Sequence, residues 1–181
     1  MKEYLDIVDE NGQPTGEIVD RETAHAKGIL HRTAHVWIAR KRDGKVQILL
    51  QKRAKHKSSF PGCYDISSAG HIPAGDSYEV SAMRELEEEL GVKADEKELI
   101  TCGDRKVIWD DVFFGKEFRD RQISRVFLLW LDRDDFTIQE EEVDGILWMD
   151  FDECYKGVRN DLFENCIVLE ELEMLRKAFA E

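Results

Sequence analysis

Little in this sequence provides for a membrane, an export route or a nucleic-acid surface. Among 181 residues there are only 3 prolines and 4 cysteines. The cysteines, Cys63, Cys102, Cys154 and Cys166, form no Cys-x-x-Cys pair, and no histidine sits at zinc-finger spacing from them. They read as reduced, mostly buried thiols. Together with the acidic, signal-free start Met1-Lys2-Glu3, they lead us to expect a cytoplasmic protein. No apolar run approaches the roughly 18 residues of a membrane span; the longest clear one is Val126 to Leu131. Basic side chains number 26 against 39 acidic ones, a formal net charge of -13. Bulk electrostatics therefore excludes a nucleic-acid polymer or an anionic lipid surface as partner. Disorder is excluded by a hydrophobic content of 42%. The length predicts one domain over residues 1–181.

What is present is an interleaved strand and helix pattern. Tyr4 to Val8 and Glu17 to Val19 flank Asn11-Gly12 and predict a hairpin. Asp20 caps a short helix over Glu22 to Ala26, stopped by Gly28, so residues 1–30 form an N-terminal hairpin and helix. Strands are predicted at Ala34–Ala39, Val46–Leu50 and Tyr64–Ser67, with a loop at Gly70–Gly75. A helix runs from near Ser77 to Leu90, with Gly91 as its stop. Further strands are predicted at Leu99–Cys102, Lys106–Trp109, Gln122–Leu131 and Gly145–Met149. An amphipathic helix is predicted from Asn160 to Phe179. That helix packs on the sheet or supports a homodimer. The class is α/β.

The most informative stretch is residues 70–92. Glu85, Glu88 and Glu89 fall on one arc of the helix, beside an apolar stripe of Ala82, Met83, Leu86 and Leu90. Three carboxylates on one face near a helix C-terminus repel each other and oppose the macrodipole. They suit a hard divalent cation, Mg²⁺ or Mn²⁺, which takes one or two carboxylates and fills its other positions with water and substrate phosphate. Such a cation also lets an acidic protein bind a polyphosphate.

The spacing Gly70, five residues, Asp76, seven residues, Arg84-Glu85-Leu86-x-Glu88-Glu89-x-Gly91-Val92 resembles the Nudix box, with Asp76 where the family usually has Glu. A chance match is on the order of one in a billion per window. The resemblance implies a Nudix-type α/β/α sandwich with a mixed sheet. It also implies metal-dependent cleavage of a pyrophosphate bond in a nucleoside-diphosphate-linked or related small molecule. It makes Glu85, Glu88 and Glu89 metal ligands, adds the Gly70 carbonyl, and pairs Arg84 with Asp76 as a brace. Glu85, Glu88 and Arg84 become the catalytic set. An additional base or ligand is expected from a later acidic turn, at Glu141 or Glu142, where a solvated turn is the competing reading.

Residues 1–92 also resemble type I isopentenyl-diphosphate isomerase, itself a Nudix-fold enzyme. The matching features are Pro14-Thr15-Gly16, Ala24-His25, Leu30-His31, Pro61-Gly62 and Gly70-His71. The resemblance implies a second metal site at His25, His31 and His71 with Asp120 as carboxylate partner; hydrogen-bonded structural histidines are the competing and favoured reading. Ala69 stands where the isomerase has its catalytic cysteine, and Gln122 where it has a catalytic glutamate. Isomerisation thus lacks its acid and base. Isomerase-like chemistry or prenyl-diphosphate binding is the alternative to hydrolysis, and a non-catalytic binding module is the third reading. Arg53, in the one basic cluster (Gln51–Lys57), is expected to contact substrate phosphate with a neighbouring lysine. His35 reads as structural. For Trp37, Trp109, Trp130 and Trp148 the functional reading is that one of them stacks on a base, and their strand positions favour the core reading.

Overall fold

The computed structural model describes residues 2–57 and 59–180. Its strands are β1 (Tyr4–Val8), β2 (Pro14–Asp20), β3 (His31–Arg42), β4 (Lys45–Arg53), β5 (Tyr64–Asp65), β6 (Ser68–His71), β7 (Ile100–Phe113), β8 (Lys116–Trp130) and β9 (Val143–Asp150). Its helices are α1 (Arg21–Lys27), α2 (Tyr78–Leu90), α3 (Phe151–Arg159) and α4 (Leu169–Ala178). No helix among the described residues is long and apolar enough to cross a membrane.

Strands β1 and β2 pair as a separate hairpin. The other seven form a mixed sheet in the order β5-β4-β3-β8-β7, with β6 also on β3 and β9 on β4. The β3–β8 pair is parallel, from His31 opposite Gln122 to Ala39 opposite Trp130. Strand β3 divides one edge between two antiparallel partners, β6 over Thr33–Val36 and β4 over Ala39–Arg42. Alternation along each strand feeds two cores. Val36, Ile38, Leu49, Phe127 and Leu129 pack against Ala82, Leu86 and Leu90 of α2. Trp37, Ala39, Ile48, Leu50 and Leu128 pack against Cys154, Leu172 and Leu175 of α3 and α4. Burial on both faces explains why β3 and β8 read as continuous apolar runs. Helices on both faces of a mixed sheet make the α/β/α sandwich.

The predicted caps form. Asp20 accepts from the Thr23 amide, and Gly28 ends α1 at φ 65°. Ser77 accepts from the Val80 amide, and Gly91 ends α2 at φ 65°. Three predicted elements differ. The two short strands around residues 99–109 are one strand, β7, bent by a register shift between Thr101 and Gly103. There Gly103 takes φ 139°, which a side chain would resist. The loop predicted at Gly70–Gly75 begins only after His71, because residues 68–71 pair with β3. The helix predicted over residues 160–179 is confined to Leu169–Ala178, and α3 stands in front of it. Asp150 starts α3 by accepting from the Asp152 and Glu153 amides. Residues 160–168 are instead drawn to the sheet, where Tyr64 bridges Asn165 and its carbonyl accepts from the Cys166 amide.

Helix α4 also delivers a charge into the interior. Fully buried Glu171 accepts from Trp37 Nε1 at 2.9 Å and Arg105 Nε at 2.7 Å, and bonds His35 Nδ1 at 2.8 Å. Burial by itself raises a carboxyl's pKa. Here the His35 and Arg105 charges and these bonds override it and hold Glu171 at about 2. A folded-state value below the ordinary 4.5 means stability that is present above pH 4.5 and lost as pH falls toward 2. The full contribution is about 3 kcal/mol. Glu171→Gln is expected to lose about that much at pH 7 in urea unfolding. The gap from the parent protein should close between pH 4.5 and pH 2; a gap independent of pH would refute the assignment.

Candidate active site

Strand β6 is short, but it decides what faces what. Its side chains alternate, so Ser68 and Gly70 turn toward α2, and Ala69 and His71 turn to the opposite face. A Cβ placed on Gly70 would overlap the carboxylate of Glu85. The backbone of β6 is therefore in direct contact with the acidic face of α2. Only glycine permits that approach.

The three glutamates of the helical arc fare differently. Glu85 and Glu89 are turned inward, with side-chain exposure of 14% and residue exposure of 6%, whereas Glu88 stands at the rim with its side chain 53% exposed. Burial pushes Glu85 up to about 7 despite the neighbouring Arg84. Burial, aided by the Glu85 charge, pushes Glu89 to about 7, with Ser68, Lys57 and the Ala69 backbone favouring its charged form. Two inward carboxylates thus sit in low dielectric with too little positive charge to ionise both. A hard divalent cation meets that deficit. Glu85, Glu89 and the Gly70 backbone fit one, with Glu88 in reserve at the rim.

Arg84 bonds Glu85 at 2.8 Å, Glu88 at 3.3 Å and the His71 carbonyl at 3.3 Å. The expected Arg84–Asp76 brace is absent among the described residues. The Asp76 carbonyl instead accepts from Arg32 at 3.1 Å. The aspartate side chain is one methylene shorter than the glutamate usual there, and Arg32, itself paired with Asp6 at 2.9 Å, carries the loop.

On the other face of β6, His71 meets His25 of α1 and His31 of β3. Their ring centroids are 5.0–5.2 Å apart, and one nitrogen from each lies within 4.8 Å of the others. Burial drives all three below the ordinary histidine value, His25 to about 3, so the rings are neutral. His31 Nδ1 donates to the Ile29 carbonyl at 2.8 Å, which leaves the lone pair on Nε2. That Nε2 is buried without a partner, as are His25 Nδ1, Asp120 Oδ1 and Gln122 Oε1. His25 Nε2 faces His71 Nε2 at 3.0 Å, and His25 Nδ1 lies 3.8 Å from Asp120. With His71 Nε2 donating to His25 Nε2, the His25 proton sits on Nδ1 toward Asp120, and His31 Nε2 still finds no donor. The cluster has more acceptors than donors, the condition a cation relieves. Gln122 donates to the other oxygen of Asp120, which burial raises to about 6.

The basic cluster is already engaged. Arg53 pairs with Asp65 at 2.9 Å and donates to the Ser59 carbonyl, so it props the loop after β4. Lys57 is the better placed cation: it pairs with Glu142 and feels the charges of Glu85 and Glu89. The acidic turn borders the same site, for the Gln139 amide donates to the Glu89 carbonyl at 3.0 Å. His56 holds the Glu141 carbonyl at 2.8 Å, leaving that side chain exposed. His35 belongs to the Glu171 network. Trp37 is core, but Trp109 belongs to neither core and packs instead with Phe60, Phe113 and Phe118. Sequence reading missed that ring set because Phe60 is distant in the chain from Trp109, Phe113 and Phe118, which the β7–β8 pairing brings together.

The NUDIX domain family model matches residues 29–165. Nudix hydrolase 3 of Arabidopsis thaliana is 39% identical over 155 residues, covering 84% of this chain and 20% of that protein. An uncharacterized Nudix hydrolase of Clostridium acetobutylicum is 34% identical over 163 residues, 89% of this chain and 76% of that one. The chain thus spans about a fifth of the plant relative and about three quarters of the clostridial one. An isopentenyl-diphosphate Delta-isomerase of Corynebacterium diphtheriae is 27% identical over 151 residues, 82% of this chain and 79% of that one. In fold, the crystal structure of DR0079 from Deinococcus radiodurans matches with a TM-score of 0.68 at 20% identity, over 96% of this chain and 98% of that one.

Gly70→Ala is expected to push Glu85 out of place and weaken Mn²⁺ binding at least tenfold in calorimetry. Gly145→Ala, whose added Cβ meets nothing within 4 Å, should leave binding unchanged. Equal affinities for both variants would remove Gly70 from the site.

Proposed function

This chain belongs to the Nudix hydrolase family, and on that footing we propose that it hydrolyses a pyrophosphate bond in a small nucleoside-diphosphate-linked or related substrate, using Mg²⁺ or Mn²⁺. The observation that carries the reading is the pair of inward carboxylates, Glu85 and Glu89, short of positive charge against the bare backbone of Gly70. With Gly70 they would hold the ion, and Glu88 would join from the rim. A divalent ion there acidifies a bound water and neutralises phosphate oxygens.

The chain's own residues then divide the remaining work. Arg84 fixes the orientation of Glu85 and Glu88 by its two ion pairs. A carboxylate at the rim receives the proton of the attacking water. Glu88 is the nearest such group on the helix, and Glu142 and Glu141 are the candidates from the acidic turn. Lys57 can exchange Glu142 for a substrate phosphate oxygen; Arg53 reaches phosphate only by giving up Asp65. The turn at residues 139–142, tied to the backbone of Glu89, would register substrate against the helix.

The histidine cluster supports a second ion, held by His25, His31 and His71 with Asp120, and a related isomerase keeps that alternative chemistry in view. Ala69 offers no thiol, and the Gln122 side chain is tied to Asp120. Neither group can shuttle the protons that moving a double bond requires. The favoured outcome is therefore hydrolysis.

A product-resolved screen tests this. The panel would hold nucleoside triphosphates, nucleotide sugars, dinucleotides, coenzyme A derivatives and isopentenyl diphosphate. Cleavage dependent on Mg²⁺ or Mn²⁺ is expected, reduced about 100-fold or more in Glu89→Gln. Isomerised product without cleavage would overturn the proposal. Separately, metal titration of the parent protein should find two classes of divalent site. His31→Ala should abolish one and leave the other; a single class in both proteins would restore the purely structural reading of the histidines.

A further inference from the structure

Strand β7 is an edge of the seven-stranded sheet, paired with β8 on one side only. Its 14 residues contain no proline. Its pairing with β8 runs without a break from Asp104 opposite Arg125 to Phe113 opposite Lys116. The parallel neighbour β3 meets β8 only from Gln122 onward, so residues 108–121 project beyond the other strands as a two-stranded arm. A two-stranded ribbon is marginal by itself. Folds commonly keep an edge strand short, interrupt it with a proline or a bulge, or cover it. The stretch 104–113 is long and regular. Among the described residues, none of its backbone groups bonds to backbone outside the β7–β8 pair.

In an antiparallel ladder, residues that exchange bonds with the partner strand alternate with residues whose N–H and C=O face away. The Val112 amide donates to the Asp111 carboxylate at 2.7 Å rather than to β8, which sets the parity. Asp104, Lys106, Ile108 and Asp110 therefore turn their backbone donors and acceptors to the open edge, and their side chains are exposed as well. Ile108 is 65% exposed and Val112 60%. At the tip of the arm, Phe114 is 75% exposed and holds φ 50°, a conformation costly for a bulky residue. The charge of the arm also differs from that of the chain. Residues 104–125 carry six basic and five acidic side chains, against a net charge of -13 for the whole protein. Two copies can meet there without the repulsion that such a net charge imposes elsewhere.

We propose that β7 pairs antiparallel with β7 of a second copy of this chain, about a two-fold axis at Ile108. The side chains select that register. An axis at Lys106 or at Asp110 sets like charges opposite each other, and an axis at Val107 opposes Asp104 to Asp110. An axis at Arg105 runs into the register shift between Thr101 and Gly103. An axis at Trp109 leaves Lys106 and Asp110 opposite apolar side chains. With the axis at Ile108, each Lys106 faces the partner's Asp110, and the two isoleucines face each other. Lys106 gives up only an exposed pair with Glu10, and Asp110 keeps Arg121 at 2.8 Å. The two arms then make four consecutive strands, which a lone ribbon lacks. Helix α4, the other candidate for a homodimer, already has Leu172 and Leu175 in the core. An edge of this length buries a modest area, so the association depends on concentration. It is independent of which bond the protein cleaves.

The test is sedimentation equilibrium of the full chain from about 5 to about 500 µM. A monomer–dimer equilibrium with a Kd on the order of 10 µM is expected. Lys106→Asp and Asp110→Lys each set like charges across the axis and should weaken it about tenfold or more. Mixing the two variants restores opposite charges at every cross-strand pair, so a heterodimer of parent-like affinity should form. In the parent, the amides of Lys106, Ile108 and Asp110 should exchange more slowly as concentration rises. Those of Val107 and Trp109, already bonded to β8, should not change. Circular dichroism tells an unfolded variant from a monomeric one, and the exchange readout needs no variant. A parent that stays monomeric at about 500 µM would overturn the proposal. So would a dimer that both charge changes leave intact, or a mixture of the variants that does not associate.

Discussion

The contact between the backbone of Gly70 and the carboxylate of Glu85 is the constraint around which this molecule is arranged. It seats the Glu85 side chain where a Cβ on residue 70 would otherwise lie. The cost is that two carboxylates are drawn out of water beside one another, which raises both toward neutrality. A helix that needed only to pack on the sheet would not place charges there. The apolar side of α2, through Leu86 and Leu90, supplies the packing that holds the acidic side in this unfavourable position.

The same four-residue strand, read on its other face, anchors a different kind of polar cluster. His71 follows Gly70 in the chain and points the opposite way, into a nest of neutral imidazoles and one carboxyl. Two sites of unlike chemistry, oxygen-rich and nitrogen-rich, therefore lie back to back across one backbone. Loops unite their open ends. The segment after β4 carries Lys57 toward the glutamates and Phe60 toward the arm, and the turn at 139–142 closes on Glu89. The long β7–β8 arm then brings Asp120 to the histidines and a ring wall beyond them. Distinct elements so contribute carboxylates, imidazoles, a lysine and aromatic rings from separate parts of the chain.

Stability is supplied apart from this path. Glu171 ties α4 to β3 and β7 through His35, Trp37 and Arg105, and none of these four is needed by the carboxylate site. A buried charge with all its partners satisfied specifies one seating of the helix, since a slid helix would strand it. Among the described residues, buried polar atoms without a partner include a local group at His25, His31, Asp120 and Gln122, and others at Arg32, Ser68, Ser81, Arg84 and Trp148.

By itself the sequence determined the local features: the caps at Asp20 and Ser77, the stops at Gly28 and Gly91, and the single helical face that presents the glutamates. Each depends on neighbours within one or two turns of chain, where spacing and residue type suffice. The grouping of His25, His31 and His71 was legible only through resemblance, because the residues are far apart in the chain. Tertiary structure alone decided the rest. It withdrew Arg53 into a pair with Asp65, replaced the Arg84–Asp76 brace by one through Arg32, and fused two predicted strands into β7. It also drew residues 160–168 out of a helix and set Trp109 outside both cores, against Phe60, Phe113 and Phe118. All are competitions between partners distant in sequence. Their outcome follows from which group the folded sheet brings within bonding distance, a quantity that no local pattern of residues encodes.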